Sequence, residues 1–310
     1  MKYDLAIIGT GPAGYTASIY ASRYKIKHVL IGQVPGGLAT EAHKVCNFPT
    51  NKEIKGVDLM QKMRKHAISF STEEFSEEVL EIEHDNSNFK ITTRSEKVFT
   101  AKTILLAIGT KRRKLNVPDE EKYIGKGLTY CATCDGPFYK DKVVAVVGGS
   151  DAANTTSLYL SQIASEVIQI YRKDKLRGDP TWSHQVINNP KIKVIYNKNI
   201  KDLEGTEKLE FVILDDGTKI KVNGLFVEIG SVPNTTLIEN LNIATDKNGY
   251  IIVDQAQKTN IEGAWAAGDI TTGSNSFRQI ITACSEGAIA AEDIFRYLIG
   301  KTNDQIANSK

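Results

Sequence analysis

Cys131-Ala132-Thr133-Cys134 is followed directly by Asp135-Gly136. Two thiols separated by two residues can close a small reversible disulfide, and such thiols can have strongly lowered pKa values. The carboxyl group next to them is an acid placed to manage the proton that a leaving thiolate needs. The same spacing also supplies half of a structural zinc site, which needs four ligands. Cys46 and Cys284 lie far away in sequence, and His28, His43, His66, His84 and His184 show no paired ligand spacing. The expectation is therefore a redox dithiol and no metal.

Two nucleotide-binding patterns flank this motif. Tyr3 to Ile8 is a nearly continuous apolar run, as expected of a buried parallel strand. Gly9-Thr10-Gly11-Pro12-Ala13-Gly14 follows, and Tyr15 to Tyr24 continues as a helix. In this G-x-G-x-x-G setting the first glycine makes the tight turn and the second admits a pyrophosphate. The third lets helix and strand pack closely. The helix N-terminus offers free N–H groups and partial positive charge to the phosphates. The next strand, His28 to Ile31, ends in Gly32-Gln33 where an acid would grip a ribose hydroxyl. Val34-Pro35-Gly36-Gly37 then forms a second glycine turn able to bring backbone to a ligand.

The second pattern begins at Lys142. Val143 to Val147 leads into Gly148-Gly149-Ser150-Asp151-Ala152-Ala153 and a helix through about Ile163. Ser150 replaces the middle glycine, so a Cβ and a hydroxyl project where backbone should meet phosphate, although the hydroxyl can itself donate. The following strand, Glu166 to Tyr171, runs into Arg172-Lys173-Asp174-Lys175-Leu176-Arg177. Positive groups there suit a 2′-phosphate and favour NADP over NAD, against the alternative of a solvated basic turn. Further on, Thr259 to Asp269 reads as a strand ending at Gly268-Asp269. A long helix is expected from about Ser276 to Leu298, with Arg278 and Gln279 in its first turn. Lys111 to Pro118 and Gly230 to Thr235 have the composition of hinges.

Composition narrows the class. The chain has 310 residues, about two domains' worth, with 41% hydrophobic and 25% charged residues. A formal net charge of +2 gives no nucleic-acid footprint. No secretory pattern opens the sequence, and no apolar run approaches the roughly 18 residues of a membrane span. A cytoplasmic location is expected, in which a C-x-x-C is catalytic rather than structural.

Tyr130-Cys131-Ala132-Thr133-Cys134-Asp135-Gly136, the turn from Gly9 to Gly14, Ala267-Gly268-Asp269 and Phe277-Arg278-Gln279 occur in the order seen in low-molecular-weight thioredoxin reductases. The chain resembles that family along essentially its whole length. The resemblance implies an α/β protein with two Rossmann-like nucleotide-binding domains, the second inserted into the first. An FAD domain would take residues 1–112 and 241–310, and a pyridine-nucleotide domain carrying the redox disulfide residues 113–240. It implies Cys131 and Cys134 as that disulfide and Asp135 as general acid. Gly9, Gly11, Pro12, Ala13, Gly14, Gly36, Gly37, Asn47, Gly268, Asp269, Arg278, Gln279 and Ile280 fall on flavin positions. Gly148, Ser150, Ala153, Arg172, Lys173 and Arg177 fall on NADP positions.

The implied activity passes electrons from NADPH through FAD and the disulfide to a thioredoxin-like protein, in a homodimer. Departures cluster in the second turn. The family's Gly-Gly-Gly-Asp-Ser-Ala, commonly followed by paired Glu, is Gly148-Gly149-Ser150-Asp151-Ala152-Ala153-Asn154-Thr155-Thr156 here. Its His-Arg-Arg is Tyr171-Arg172-Lys173. A relative drawing on a ferredoxin-type donor, or a dithiol oxidase, is the alternative; a non-catalytic redox sensor is a third reading that Asp135 disfavours. Cys46 and Cys284 need no function, and Cys284, within the last helix, reads as a packing residue. Ile289, Ile294, Phe295 and Leu298 on the last helix read either as a dimer surface or as cover for their own sheet.

Overall fold

The computed structural model describes residues 2–85 and 87–308, those from 302 onward by backbone alone. The chain divides into two compact units: Met1–Thr40, Val45–Lys111 and Val232–Lys310 form the first, Glu41–Lys44 and Arg112–Ser231 the second.

The first unit opens with β1 (Lys2–Ile8). Leu5 to Ile8 are buried without alternation because both faces of the strand are covered. Ala6 and Ile8 enter one core cluster, Leu5 and Ile7 the other. Helix α1 (Pro12–Arg23) starts with proline in its first turn, where a missing N–H costs nothing. There follow β2 (His28–Ile31), α2 (Gly56–Ile68), β3 (Glu73–Phe75), β4 (Val79–His84), β5 (Phe89–Thr93) and β6 (Val98–Leu106). The sheet runs β3-β2-β1-β6-β5-β4. β1 lies parallel between β2 and β6, while β4 and β5 form an antiparallel ribbon on β6.

The chain leaves through β7 (Thr110–Arg112) and enters the second unit. Its elements are α3 (Glu120–Tyr123), β8 (Leu128–Thr129), α4 (Ala132–Asp135), β9 (Val143–Val147), α5 (Asp151–Ser161), β10 (Glu166–Tyr171), α6 (Pro180–Ile187) and β11 (Ile192–Tyr196). An antiparallel set follows, β12 (Ile200–Glu204), β13 (Phe211–Leu214) and β14 (Lys219–Lys221), before β15 (Gly224–Val227). The five-stranded sheet β11-β10-β9-β15-β8 is parallel throughout and has a core cluster on each face.

The return strand β16 (Ser231–Pro233) leads back to the first unit, where β17 (Ala264–Ala266) adds to the C-terminal half of β6. This strand is shorter than the sequence pattern suggested. Helix α7 (Ile280–Asn308) begins four residues later than expected. Ser274, Asn275 and Ser276 all adopt left-handed backbone, with φ of 48°, 53° and 59°, which no right-handed helix can include. Arg278 and Gln279 therefore precede α7. The helix packs on α1 at Gly287, where a Cβ would come within 2.2 Å of the Ala13 carbonyl oxygen. Among the described residues no helix is long and apolar enough to cross a membrane. The protein is an α/β fold of two Rossmann-like units, the second interrupting the first.

Candidate functional site

The redox motif sits where β8 turns into α4. Cys131 caps α4 in extended conformation, and its sulfur accepts the backbone N–H of Cys134 at 3.2 Å. The two cysteines form a disulfide with Cα atoms 5.4 Å apart, so neither sulfur is free to serve a zinc half-site in this state. Cys134 is exposed and Cys131 half-buried. Ala132 anchors the turn by burying its methyl in the core cluster that also holds Val144, Val146 and Leu160. Gly136 is required by close packing: a Cβ there would lie 2.9 Å from the Tyr159 ring. The Asp135 carboxylate accepts a hydrogen bond from Thr129, and the Asp135 N–H donates to Cys131 O at 3.1 Å. Burial raises the Tyr139 phenol, and the Asp135 charge adds to that shift. Phe138, just beyond, is 73% exposed.

A second layer supports α4. Thr133 donates to the Glu41 carbonyl at 2.8 Å. The Glu41 carboxylate is bound by Arg112, whose other arm reaches Glu228 at 2.7 Å. Glu228 is buried and also accepts from Thr156 at 3.0 Å. Burial pushes its carboxyl up, with Arg112 pulling the other way. Nothing in the sequence flagged this cluster, because its members are dispersed and individually unremarkable.

In the first unit, residues far apart in sequence converge on the turn from Gly9 to Gly14. Gly9 has φ +115°, and a Cβ on it would strike the Ala107 carbonyl oxygen at 2.1 Å. At Gly14 a Cβ would lie 1.9 Å from Gly9 O, whereas at Gly11 it would meet nothing within 4 Å. Backbone there is open to a ligand, and the N-terminus of α1 has no side-chain cap. The second glycine turn closes on the first: Gly36 N–H donates to Thr10 O at 2.8 Å, and a Cβ on Gly37 would touch Gly11 Cα at 3.6 Å.

The strand end after β17 packs against the same helix start, with Gly268 beside Ala13. Asp269 is half-buried; burial raises its carboxyl, and no described residue donates to it. Arg278 holds the Asp269 carbonyl at 3.1 Å while lying 3.7 Å over the Tyr250 ring. Asn47 donates to Gln279 at 2.9 Å, joining two predicted positions across the chain, and Ile280 opens α7. Sequence reasoning missed Glu286, a buried carboxylate that accepts the Gly268 N–H at 2.8 Å and the Thr271 hydroxyl at 2.9 Å. An unpaired acid among small residues of a helix was its sole signal.

The second turn is arranged differently. Gly148, with φ +142°, would place a Cβ 2.2 Å from Glu228 O. Gly149 is covered by the Tyr171 ring, 2.5 Å from a would-be Cβ, and its carbonyl accepts Arg177 N–H at 2.8 Å. Ser150 caps α5 in extended backbone without a side-chain bond, and Ala153 is fully buried. Beneath the turn, buried Gln169 donates to Gly148 O and to Asn154. Arg172, Lys173 and Arg177 are exposed and have no ion-pair partner among the described residues.

The two other cysteines differ from each other. Cys284 is half-buried in α7, where burial raises its thiol, as a packing residue requires. Cys46 is exposed, in the loop directly after the isolated bridge between Val45 and Ile54. Of the apolar positions on α7, Ile294 is buried and Phe295 and Leu298 pack on the unit's own core, while Ile289 is 40% exposed.

These arrangements have counterparts. The family model for pyridine nucleotide-disulphide oxidoreductases matches residues 3–287. A thioredoxin reductase of Peptoclostridium acidaminophilum is 36% identical over 313 residues, covering 96% of this chain and 97% of that protein. The thioredoxin reductase of Bacillus subtilis is 36% identical over 303 residues, covering 96% and 95%. The crystal structure of Lactococcus lactis thioredoxin reductase superposes with a TM-score of 0.92 at 34% identity, covering 96% of this chain and 99% of that one. The similarity to these thioredoxin reductases thus runs along nearly the whole chain. The chain is an oxidoreductase belonging to the pyridine nucleotide-disulphide oxidoreductase family, in its low-molecular-weight thioredoxin reductase branch.

Proposed function

We propose that the protein is an NADPH-dependent thioredoxin reductase that holds FAD in its first unit and acts as a homodimer. The observation that carries the reading is the Cys131–Cys134 disulfide with Asp135 beside it. FAD fits the first unit on two counts: backbone is open at Gly11, and the Asp269 carboxylate lacks the donors that ribityl or ribose hydroxyls would supply. Gly9 to Gly14, Gly36, Gly37 and the start of α1 would hold its phosphates, with Asn47, Gly268, Asp269, Arg278, Gln279 and Ile280 around the remainder. Bound FAD would supply a two-electron relay between pyridine nucleotide and disulfide.

The chain's own residues then perform thiol–disulfide exchange. Two electrons and two protons convert Cys131–Cys134 into two thiols. One sulfur attacks the partner's disulfide, forming a mixed disulfide and breaking the partner's S–S bond. The second sulfur resolves it, which restores Cys131–Cys134 and releases the partner as a dithiol. Asp135 carries the proton from attacking thiol to leaving thiolate. Phe138, exposed four residues beyond Cys134, gives the protein partner an apolar anchor.

For the electron donor, exposed Arg172, Lys173 and Arg177 support NADPH, whereas Ser150 and the Tyr171 ring on Gly149 favour the second reading, another donor or a dithiol oxidase. Anaerobic titration of the purified yellow protein decides between them. NADPH bleaches the flavin and NADH bleaches it poorly if the proposal holds; bleaching by neither refutes the donor. Turnover with an oxidised thioredoxin tests the acceptor. Sedimentation at micromolar concentration, giving about twice the 34.2 kDa chain mass, tests the dimer.

A further inference from the structure

Thr129 ends β8 with its side chain buried, 6% exposed, and its backbone in register with Phe226 of β15. Its hydroxyl makes two bonds. It accepts the N–H of Cys131 at 3.1 Å and faces the Asp135 carboxylate oxygen Oδ2 at 2.5 Å. A hydroxyl has one proton. Because the Cys131 contact uses an N–H donor, that proton is directed at Asp135. No described residue donates to the other carboxylate oxygen, Oδ1. A β-branched side chain in a strand has a stiff χ1, so the direction of the bond is fixed by the sheet.

We infer that Thr129 is the positioning residue of the proton-transfer step, holding Asp135 by Oδ2 and leaving Oδ1 free to exchange a proton with the sulfurs. The inference rests on the reading of Asp135 as the proton carrier. Its necessity lies in the reduced state. With the disulfide closed, residues 131 and 134 are tied covalently, and α4 is only four residues long. When the S–S bond opens, that tie is lost. The two bonds of Thr129 then span the turn from its first residue, through the Cys131 N–H, to its last, through the Asp135 carboxylate. In the exchange one thiol gives its proton to Oδ1 as its sulfur forms a bond to the substrate disulfide. The substrate S–S bond breaks, and the carboxyl returns the same proton to the leaving sulfur. Electrons and protons balance within the step.

The test uses holoenzyme reduced anaerobically with dithionite, which removes any dependence on the natural donor. Reduced enzyme is mixed in stopped flow with an oxidised bacterial thioredoxin, and separately with cystamine, a small alkyl disulfide. Thr129→Val keeps the shape and removes the hydroxyl; it should lower the limiting rate about 10-fold or more, as expected for a hydrogen bond to a charged group. Half-saturation by thioredoxin and flavin content should not move. Thr129→Ser should recover the rate to within roughly threefold, which also controls for misfolding of the valine variant. In an Asp135→Asn background, Thr129→Val should cost nothing further, because the residues act as one unit. A slow Asp135→Asn combined with an additive or absent effect of Thr129→Val overturns the inference alone. An Asp135→Asn variant with wild-type exchange rates overturns the reading of Asp135, and this inference with it.

Discussion

The turns at residues 9–14 and 148–153 begin alike at their first glycine and diverge after it. Gly9 and Gly148 both adopt positive φ and both bring a would-be Cβ within about 2 Å of a neighbouring strand's carbonyl oxygen. After that, one turn is left open and the other is filled from within. Gly11 faces empty space, whereas Ser150 brings a side chain, and the Tyr171 ring lies flush on Gly149. Gly14 has no room for a methyl, but Ala153 holds one fully buried. The acids nearby follow suit. Asp269 has no donor among the described residues, while Glu228 is saturated by Arg112 and Thr156. Polar groups that a fold desolvates without satisfying await a ligand. On the proposed reading, the first unit would hold a permanent guest. In the second unit the buried Ser157 hydroxyl and the Gln169 side-chain oxygen also lack partners, and Arg172, Lys173 and Arg177 have no ion-pair partner among the described residues, as would suit a visiting ligand.

The largest effect separates the chemistry from the cofactor. Cys131→Ser and Cys134→Ser should each abolish disulfide turnover, because a lone thiol cannot hold two electrons, while visible flavin absorbance stays at its wild-type level. Loss of colour in either variant would break the division of labour. Next, Gly9→Ala should destabilise the first unit by roughly 2–4 kcal/mol, through a clash on backbone and a disfavoured φ, and release the flavin. Gly148→Ala should leave the protein yellow; the measurement is absorbance after gel filtration.

A smaller effect concerns the cations. Arg172→Ala and Arg177→Ala should each raise KM for NADPH about 10-fold, as expected when a charge-assisted bond is lost, without raising it for NADH. Equal effects on both nucleotides would show a solvated loop. Ser150→Gly, which restores the glycine pattern, should move KM for NADPH by less than about threefold, since one hydroxyl donor is exchanged for closer backbone approach. A tenfold gain would mean that the serine obstructs the turn.

The smallest effect is on stability. Burial pushes the His28 imidazole down. The unfolded chain then binds the proton more readily, so stability is lost as pH falls through the ordinary imidazole range near 6.5. Thermal melts between about pH 7.5 and 5.5 should show this decline in wild type, and His28→Gln should blunt it.

Much of this was legible because it is local. A continuous apolar run, a glycine turn and a helix announce a buried parallel strand meeting a phosphate site, and β1, β2, β9 and β10 formed where those signals stood. The final helix was misjudged at its start. Gly273-Ser274-Asn275-Ser276 carries no apolar periodicity, and three successive left-handed residues there delay the start of α7.

What the sequence determined by itself was the inventory: a dithiol with its acid, two glycine turns, and a basic strip after the second. Residue type and short-range spacing carry that information, since a disulfide across two residues and a turn at positive φ depend on neighbours in the chain. The tertiary structure alone decided what those parts face. Asn47 meets Gln279, Gly268 is held by Glu286, Glu228 is tied through Arg112 to Glu41, and Thr129 is aimed at Asp135. Such pairings depend on how strands cross and helices pack, and a hydrogen bond's direction is fixed only once packing has brought both partners into place.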